Sequence, residues 1–305
     1  MKRITQMNNR KAFTLVELVT VVIIIAILLG ILLPSVVAIR TKAKETAQKA
    51  QLNTIGMALE AFKQDYGDYP PSYWFPPLPT NYCGAQKLSE ALLGWDLMGF
   101  NPNSKWQADG TDGAGTSFYT LATLQDRKGP YLEPAAANVF RLGKLFNNTL
   151  PLASDTNVLC DVFKVRKTTD NDSTGKPITA GAPILYYKAN IAYKTIDDSD
   201  ITHRIYSYSD NSPIIQLGKL TANGNSGLMH PFAYLSGMNY PVFYNTKYPT
   251  SAPYIPATYG GSGIGYGIRD PRIPSIARPY NPDTYILISA GPDGYYGTAD
   301  DIHNY

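Results

Sequence analysis

Residues 13–33, "FTLVELVTVVIIIAILLGILL", form an apolar run in which Glu17 is the sole charged side chain. A lipid core demands about 20 such residues in a helix. The preceding segment, "MKRITQMNNRKA", carries Lys2, Arg3, Arg10 and Lys11 and no acid. Cations on one flank hold that flank in the cytoplasm, so the pattern predicts a single span with the N-terminus inside and the rest of the chain exported. A secretory signal would be shorter and would place its small-residue cleavage site after the apolar region. Here the small residue, Ala12, stands before it. A cut between Ala12 and Phe13 removes the basic leader, keeps the apolar helix and creates a new amine four residues from Glu17.

A carboxylate deep in hydrocarbon costs roughly 2.5–3.5 kcal/mol on insertion scales, and less where it can snorkel. Four helical residues correspond to only about 6 Å of depth, so one reading of Glu17 is a tolerated interfacial acid. The other reading gives the charge a partner. Within one helix the new amine and Glu17 are poorly placed to pair, whereas two staggered helices bring each Glu17 to a neighbour's amine, which makes the pair a register device for assembly.

The segment "KAFTLVEL" resembles the cleavage and methylation motif of type IV prepilins and of the pseudopilins of type II secretion systems. With Phe13 as the first mature residue, Glu17 falls fifth and Pro34 twenty-second, where that family carries these residue types. The departure is Ala12, since the family usually has Gly before the cut. The resemblance implies cleavage between Ala12 and Phe13 by a prepilin peptidase, N-methylation of Phe13, and assembly through Glu17 and Pro34 into a helical filament on an inner-membrane platform. The implied location is the inner membrane with the C-terminal domain in the periplasm, and in the assembled filament periplasmic or extracellular.

Past Pro34, Ile55, Leu59, Phe62 and Tyr66 recur at helical spacing, with Ala43, Ala47 and Ala50 extending a small-residue face upstream. One helix is therefore expected to about Tyr66, capped by Gly67 and stopped by Pro70. The "YGDYPPS" ending resembles the corresponding turn of the major pseudopilins. From residue 70 onward the chain turns to Tyr, Pro, Gly and Asn. "KLSEALLGWDLMGF" reads as a short helix capped near Gly94 and Gly99, and "VLCDVFKV", "PILYYKAN" and "DTYILISAG" read as strands. The expected architecture is α+β: a leader (1–12), a long N-terminal helix that is transmembrane in its first half (13–66), and a globular domain (67–305) with a small antiparallel sheet and a large Tyr/Pro-rich insertion (191–283), the pilin ladle.

Losing the four leader cations takes the formal charge from +3 to −1, which offers no basic face to nucleic acid. Cys83 and Cys160 would both be exported, where a disulfide is permitted; two buried thiols are the alternative. At the end of the sequence, "ISAGPDGYYGTADDIHNY" packs Asp293, Asp300 and Asp301 among glycines. Such an oxygen-rich loop suits calcium, and it equally suits a solvated acidic turn. The resemblance implies the former, because major pseudopilins bind calcium at a similar segment, with Asp293, Asp300 and Asp301 giving side-chain oxygens and Ala290 a carbonyl.

Other motifs fail. Gly261, Gly263, Gly265 and Gly267 lack the order of a nucleotide loop, "DNDSTG" lacks the final Glu of an EF-hand and reads as a turn, and His203, His230 and His303 form no zinc motif. No catalytic constellation is expected. Three functions stand: a type II secretion pseudopilus subunit, a surface type IV pilus subunit serving adhesion or motility, and a tethered envelope protein that uses the helix only as an anchor.

Overall fold

The computed structural model describes residues 14–73, 81–196, 204–217, 243, 268–270, 272–273, 276, 278–298 and 300–305, without the side chains of 31, 33–35 and 37. Gly261 to Gly267, His203, His230 and most of the expected insertion lie outside the described residues. Internal contacts divide the chain into two units, Met1–Lys44 and Glu45–Tyr305.

Helix α1 runs from Leu15 to Tyr66. In the first unit every described side chain from Thr14 to Leu32 is exposed. Among the described residues no helix is long and apolar enough to cross a membrane. The uninterrupted described apolar run stops at Gly30, and residues 13, 31 and 33, which complete the expected span, fall outside it.

In the second unit α1 becomes one-sided. Leu52, Ile55, Leu59 and Phe62 are buried, one helical turn apart or nearly so. They pack in one core with Tyr186, Tyr285, Leu287 and Ile302. The helix stops where expected: Gly67 takes φ +85° and its N–H donates to the Lys63 carbonyl at 2.7 Å.

Among the described residues the β-structure comprises three small antiparallel sheets. Strands β1 (Val139–Arg141) and β2 (Asn157–Leu159) pair, as do β3 (Arg166–Asn171) and β4 (Pro177–Ala180); β5 (Leu185–Lys188), β6 (Tyr285–Ser289) and β7 (Ile302–His303) form the third sheet in that order. Alternate side chains of the third sheet enter different cores. Tyr186, Tyr285 and Leu287 face the core that holds α1, while Leu185, Tyr187, Ile286 and Ile288 lie in a second core with Leu142, Tyr206, Tyr208 and Ile215. Both faces are covered, which is why these strands read as nearly continuous apolar runs. The mixed α+β expectation is met.

Helix α2 (Gly84–Leu93) is buried all round, including Gln86, Lys87, Ser89 and Glu90. It starts earlier than the sequence suggests, with Gln86 Oε1 accepting the Cys83 N–H at the N-cap, and it ends at Gly94, the first of the two expected glycine caps, with φ +88°. Glu90 accepts hydrogen bonds from the hydroxyls of Tyr82, Tyr119 (2.6 Å) and Ser104 (2.9 Å). Burial pushes its carboxyl upward in pKa, and the three donors oppose that. Burial likewise lowers Lys87 to about 8, its Nζ donating to the Tyr73 carbonyl at 2.5 Å.

The expected strand "VLCDVFKV" is broken. Only its first two residues belong to β2; Asp161 then turns the chain and Lys164 sits at φ +58° before β3 begins. Cys83 and Cys160 are free and buried, so the permitted disulfide is not formed. "DNDSTG" is the hairpin turn from β3 to β4, with Asp172 Oδ1 accepting the N–H groups of Thr174 and Lys176.

Candidate functional site

Glu17 opens α1. Its Oε2 accepts the backbone N–H of Thr14 at 2.9 Å and the Thr14 hydroxyl at 2.7 Å, while the Thr14 hydroxyl oxygen accepts the Glu17 N–H at 3.2 Å. Thr-x-x-Glu is a capping box, and it satisfies donors that a helix start leaves orphaned. The sequence reading missed this use of Glu17, although the spacing was there to see. Ala12 and Phe13 lie outside the described residues. The helix continues through Pro34, whose missing N–H leaves the Gly30 carbonyl without its helical donor.

The acidic residues share the connection between β6 and β7. Gly291 turns at φ +65°, and a Cβ there would lie 2.1 Å from the Asp300 carbonyl oxygen, so the two arms of the loop touch backbone to backbone. Asp300 Oδ2 accepts the Asp293 N–H at 3.0 Å, and Asp300 Oδ1 accepts the Thr298 hydroxyl at 2.6 Å. Asp293 Oδ1 takes the Tyr295 N–H and Asp301 Oδ2 the Gly297 N–H, at 2.8 and 2.7 Å. Ala290 is fully buried at the base. Thr298 is the member that sequence reasoning overlooked.

The loop is electrostatically strained. Burial first, and then the Asp300 carboxylate, raise Asp293 to about 6; burial together with Asp300 and Asp293 raises Asp301 well above the carboxylate range. Among the described residues no cation forms an ion pair with any of the three. Their oxygens are turned onto backbone N–H groups, and among the described residues no three His, Cys, Asp or Glu side chains form a metal cluster. His303, the described histidine of β7, is half-buried, and desolvation lowers it to about 4.

The prokaryotic N-terminal methylation motif is matched at residues 7–33, which contain Arg10 and Lys11 of the basic flank, Glu17 and the start of α1. That defines the class, a prepilin-like chain. It is 35% identical over 133 residues to type II secretion system core protein G of Pseudomonas aeruginosa, covering 41% of this chain and 82% of that protein. It is 41% identical over 63 residues to the type IV wide pilus major component PilA4 of Thermus thermophilus, covering 21% of this chain and 48% of that one. The chain thus spans about half the length of the pilus component and about four fifths of protein G. No solved structure matches. The chain belongs to the pseudopilin family of type II secretion core protein G, and it is a structural subunit of the pilus or pseudopilus type.

Proposed function

We propose that this chain is the repeating subunit of a type II secretion pseudopilus, assembled from the inner membrane to promote protein export. The observation that carries the reading is the similarity to protein G across most of that protein's length. It is supported by the acidic loop after β6. The proposed anatomy is the pilin ladle: α1 spans the inner membrane in its first half, the N-terminus is cytoplasmic, and the domain is periplasmic. Prepilin peptidase cuts between Ala12 and Phe13, Phe13 is methylated, and an assembly platform stacks subunits through Glu17 and Pro34. The wide-pilus component supports a second reading, a surface type IV pilus. Both are structural roles, and neither calls for an active site.

Processing is the deciding experiment. Mass spectrometry of the membrane fraction should find a chain that begins with N-methylated Phe13. An intact leader, or a cut after Leu33, removes the pilin reading.

Calcium is proposed for the acidic loop. The donor set fits in charge and chemistry: three carboxylates, the Thr298 hydroxyl and carbonyls on one loop, without a compensating cation among the described residues. Asp293, Asp300, Asp301 and the Ala290 carbonyl would hold the ion, whose charge would offset their repulsion. A ligand bound to the folded state at a hundred times its Kd stabilises it by about 2.7 kcal/mol. The full-length chain in detergent should therefore melt higher in millimolar calcium than in chelator, and Asp293→Ala should erase the difference. Equal melting in wild type would leave a solvated turn.

A further inference from the structure

The acidic loop is anchored by a residue far from it in sequence. Asp161, in the turn after β2, is 1% exposed. Its Oδ1 accepts the Phe163 N–H at 3.0 Å, a local bond that Asn would make equally well. Its Oδ2 accepts the Ser289 hydroxyl at 3.3 Å, across 128 positions of sequence. Ser289 ends β6, and its oxygen in turn accepts the Gly291 N–H at 3.3 Å, at the point where the loop folds onto Asp300.

The same turn is held from the other side by α1. Gln51 Nε2 donates to the Cys160 carbonyl at 3.0 Å, and Gln48 Oε1 accepts the Val162 N–H at 2.9 Å. Gly181 closes the arrangement, since a Cβ there would lie 2.1 Å from the Asp161 carbonyl oxygen and 2.2 Å from its Oδ1.

We infer that Asp161, acting through Ser289, is the positioning residue of the acidic loop, and that it joins the loop to Gln48 and Gln51 of α1. A turn alone needs one acceptor and no charge, while burying a carboxylate that forms no ion pair among the described residues carries a desolvation penalty that Asn would spare. The second oxygen is spent on the residue next to Ala290. Groups that orient the atoms around an ion commonly change affinity ten- to a hundredfold when removed. The functional meaning of this link rests on the calcium reading of the loop; the link itself does not.

The test uses the full-length chain in detergent, with Ser289→Ala and Asp161→Ala, and with Asp161→Asn as the conservative variant, whose Oδ1 keeps the Phe163 bond and whose amide can donate to the Ser289 oxygen. In chelator, the amides of 291 and 293–297 should exchange about five- to tenfold faster in the two alanine variants than in wild type, with Asp161→Asn near wild type and α2 unchanged, the size of one lost hydrogen bond. In calcium titrations of the melting temperature, the midpoint should rise about tenfold. Unaltered loop exchange with an unaltered midpoint overturns the inference, and so does uniform acceleration across the domain. A wild type blind to calcium, with the loop still loosened in the variants, rejects the calcium reading and upholds the positioning role.

Discussion

Glu17→Ala is expected to leave the chain in the membrane and to abolish filament formation. A lone anchor gains from losing a charge in its apolar run. An assembly that pairs Glu17 with a neighbour's amine loses that partner and leaves the amine uncompensated. The capping box sharpens the comparison, because alanine also removes the acceptor that Thr14 uses at the start of α1. Thr14→Ala separates the two effects: it breaks the hydroxyl bonds of the cap and leaves the carboxylate. The expected pattern is abundant membrane-bound protein in both variants, with filaments in Thr14→Ala and none in Glu17→Ala, scored by shearing and electron microscopy. Normal filaments from Glu17→Ala would make the glutamate a helix cap and nothing more.

The second large effect lies in the core. Glu90→Ala strips one acceptor group from three hydroxyls at once, on Tyr82, Tyr119 and Ser104. A buried donor left unsatisfied costs about 1–3 kcal/mol, so three at once remove a large part of the roughly 5–15 kcal/mol that holds a domain together. Glu90→Gln keeps one oxygen and should cost about 1–2 kcal/mol. The pH dependence has a definite sign. Burial raises the folded pKa of Glu90 above its ordinary 4.5, so the fold holds this proton more tightly than the unfolded chain does. Its contribution is complete below 4.5 and declines as the pH rises through the window up to the folded pKa. The gap in urea midpoint between wild type and Glu90→Gln should therefore be wider at pH 5 than at pH 7. A gap that widens with pH would mean that the carboxylate is stabilised by charge.

What could be read from the chain follows the physics of each segment. The stripe of Ile55, Leu59 and Phe62 declared the helix face because one period of 3.6 governs all of it, and Gly67 declared the end because only a left-handed residue closes that cap. Strands β5 and β6 were legible as apolar runs because both their faces are buried. β3 and β4 were missed: "RKTTDN" and "PITA" are mostly exposed, and their pairing leaves no apolar period. β7 is two residues long, below what any pattern can signal. The break at Asp161 is a tertiary decision. Local alternation favours a strand there, and the glutamines of α1, Ser289 and Gly181 override it. The three loop aspartates were visible as a motif, whereas the residue that anchors their loop stands in another part of the chain.

The pairing of β5 with β6 sets the order in which this domain can form. Leu185 lies opposite Ile288, so the central ladder closes a stretch of about a hundred residues before its first bond forms, and contacts so distant in sequence make for slow folding. A chain delivered N-terminus first presents α1 and β5 long before β6 emerges. Until then the core around Leu52, Leu59 and Phe62 of α1 lacks Tyr285, Leu287 and Ile302, its members from β6 and β7. The core around α1 is therefore completed only when β6 and β7 arrive, and until then a growing chain leaves it part-open, the interval in which a chaperone has most to bind.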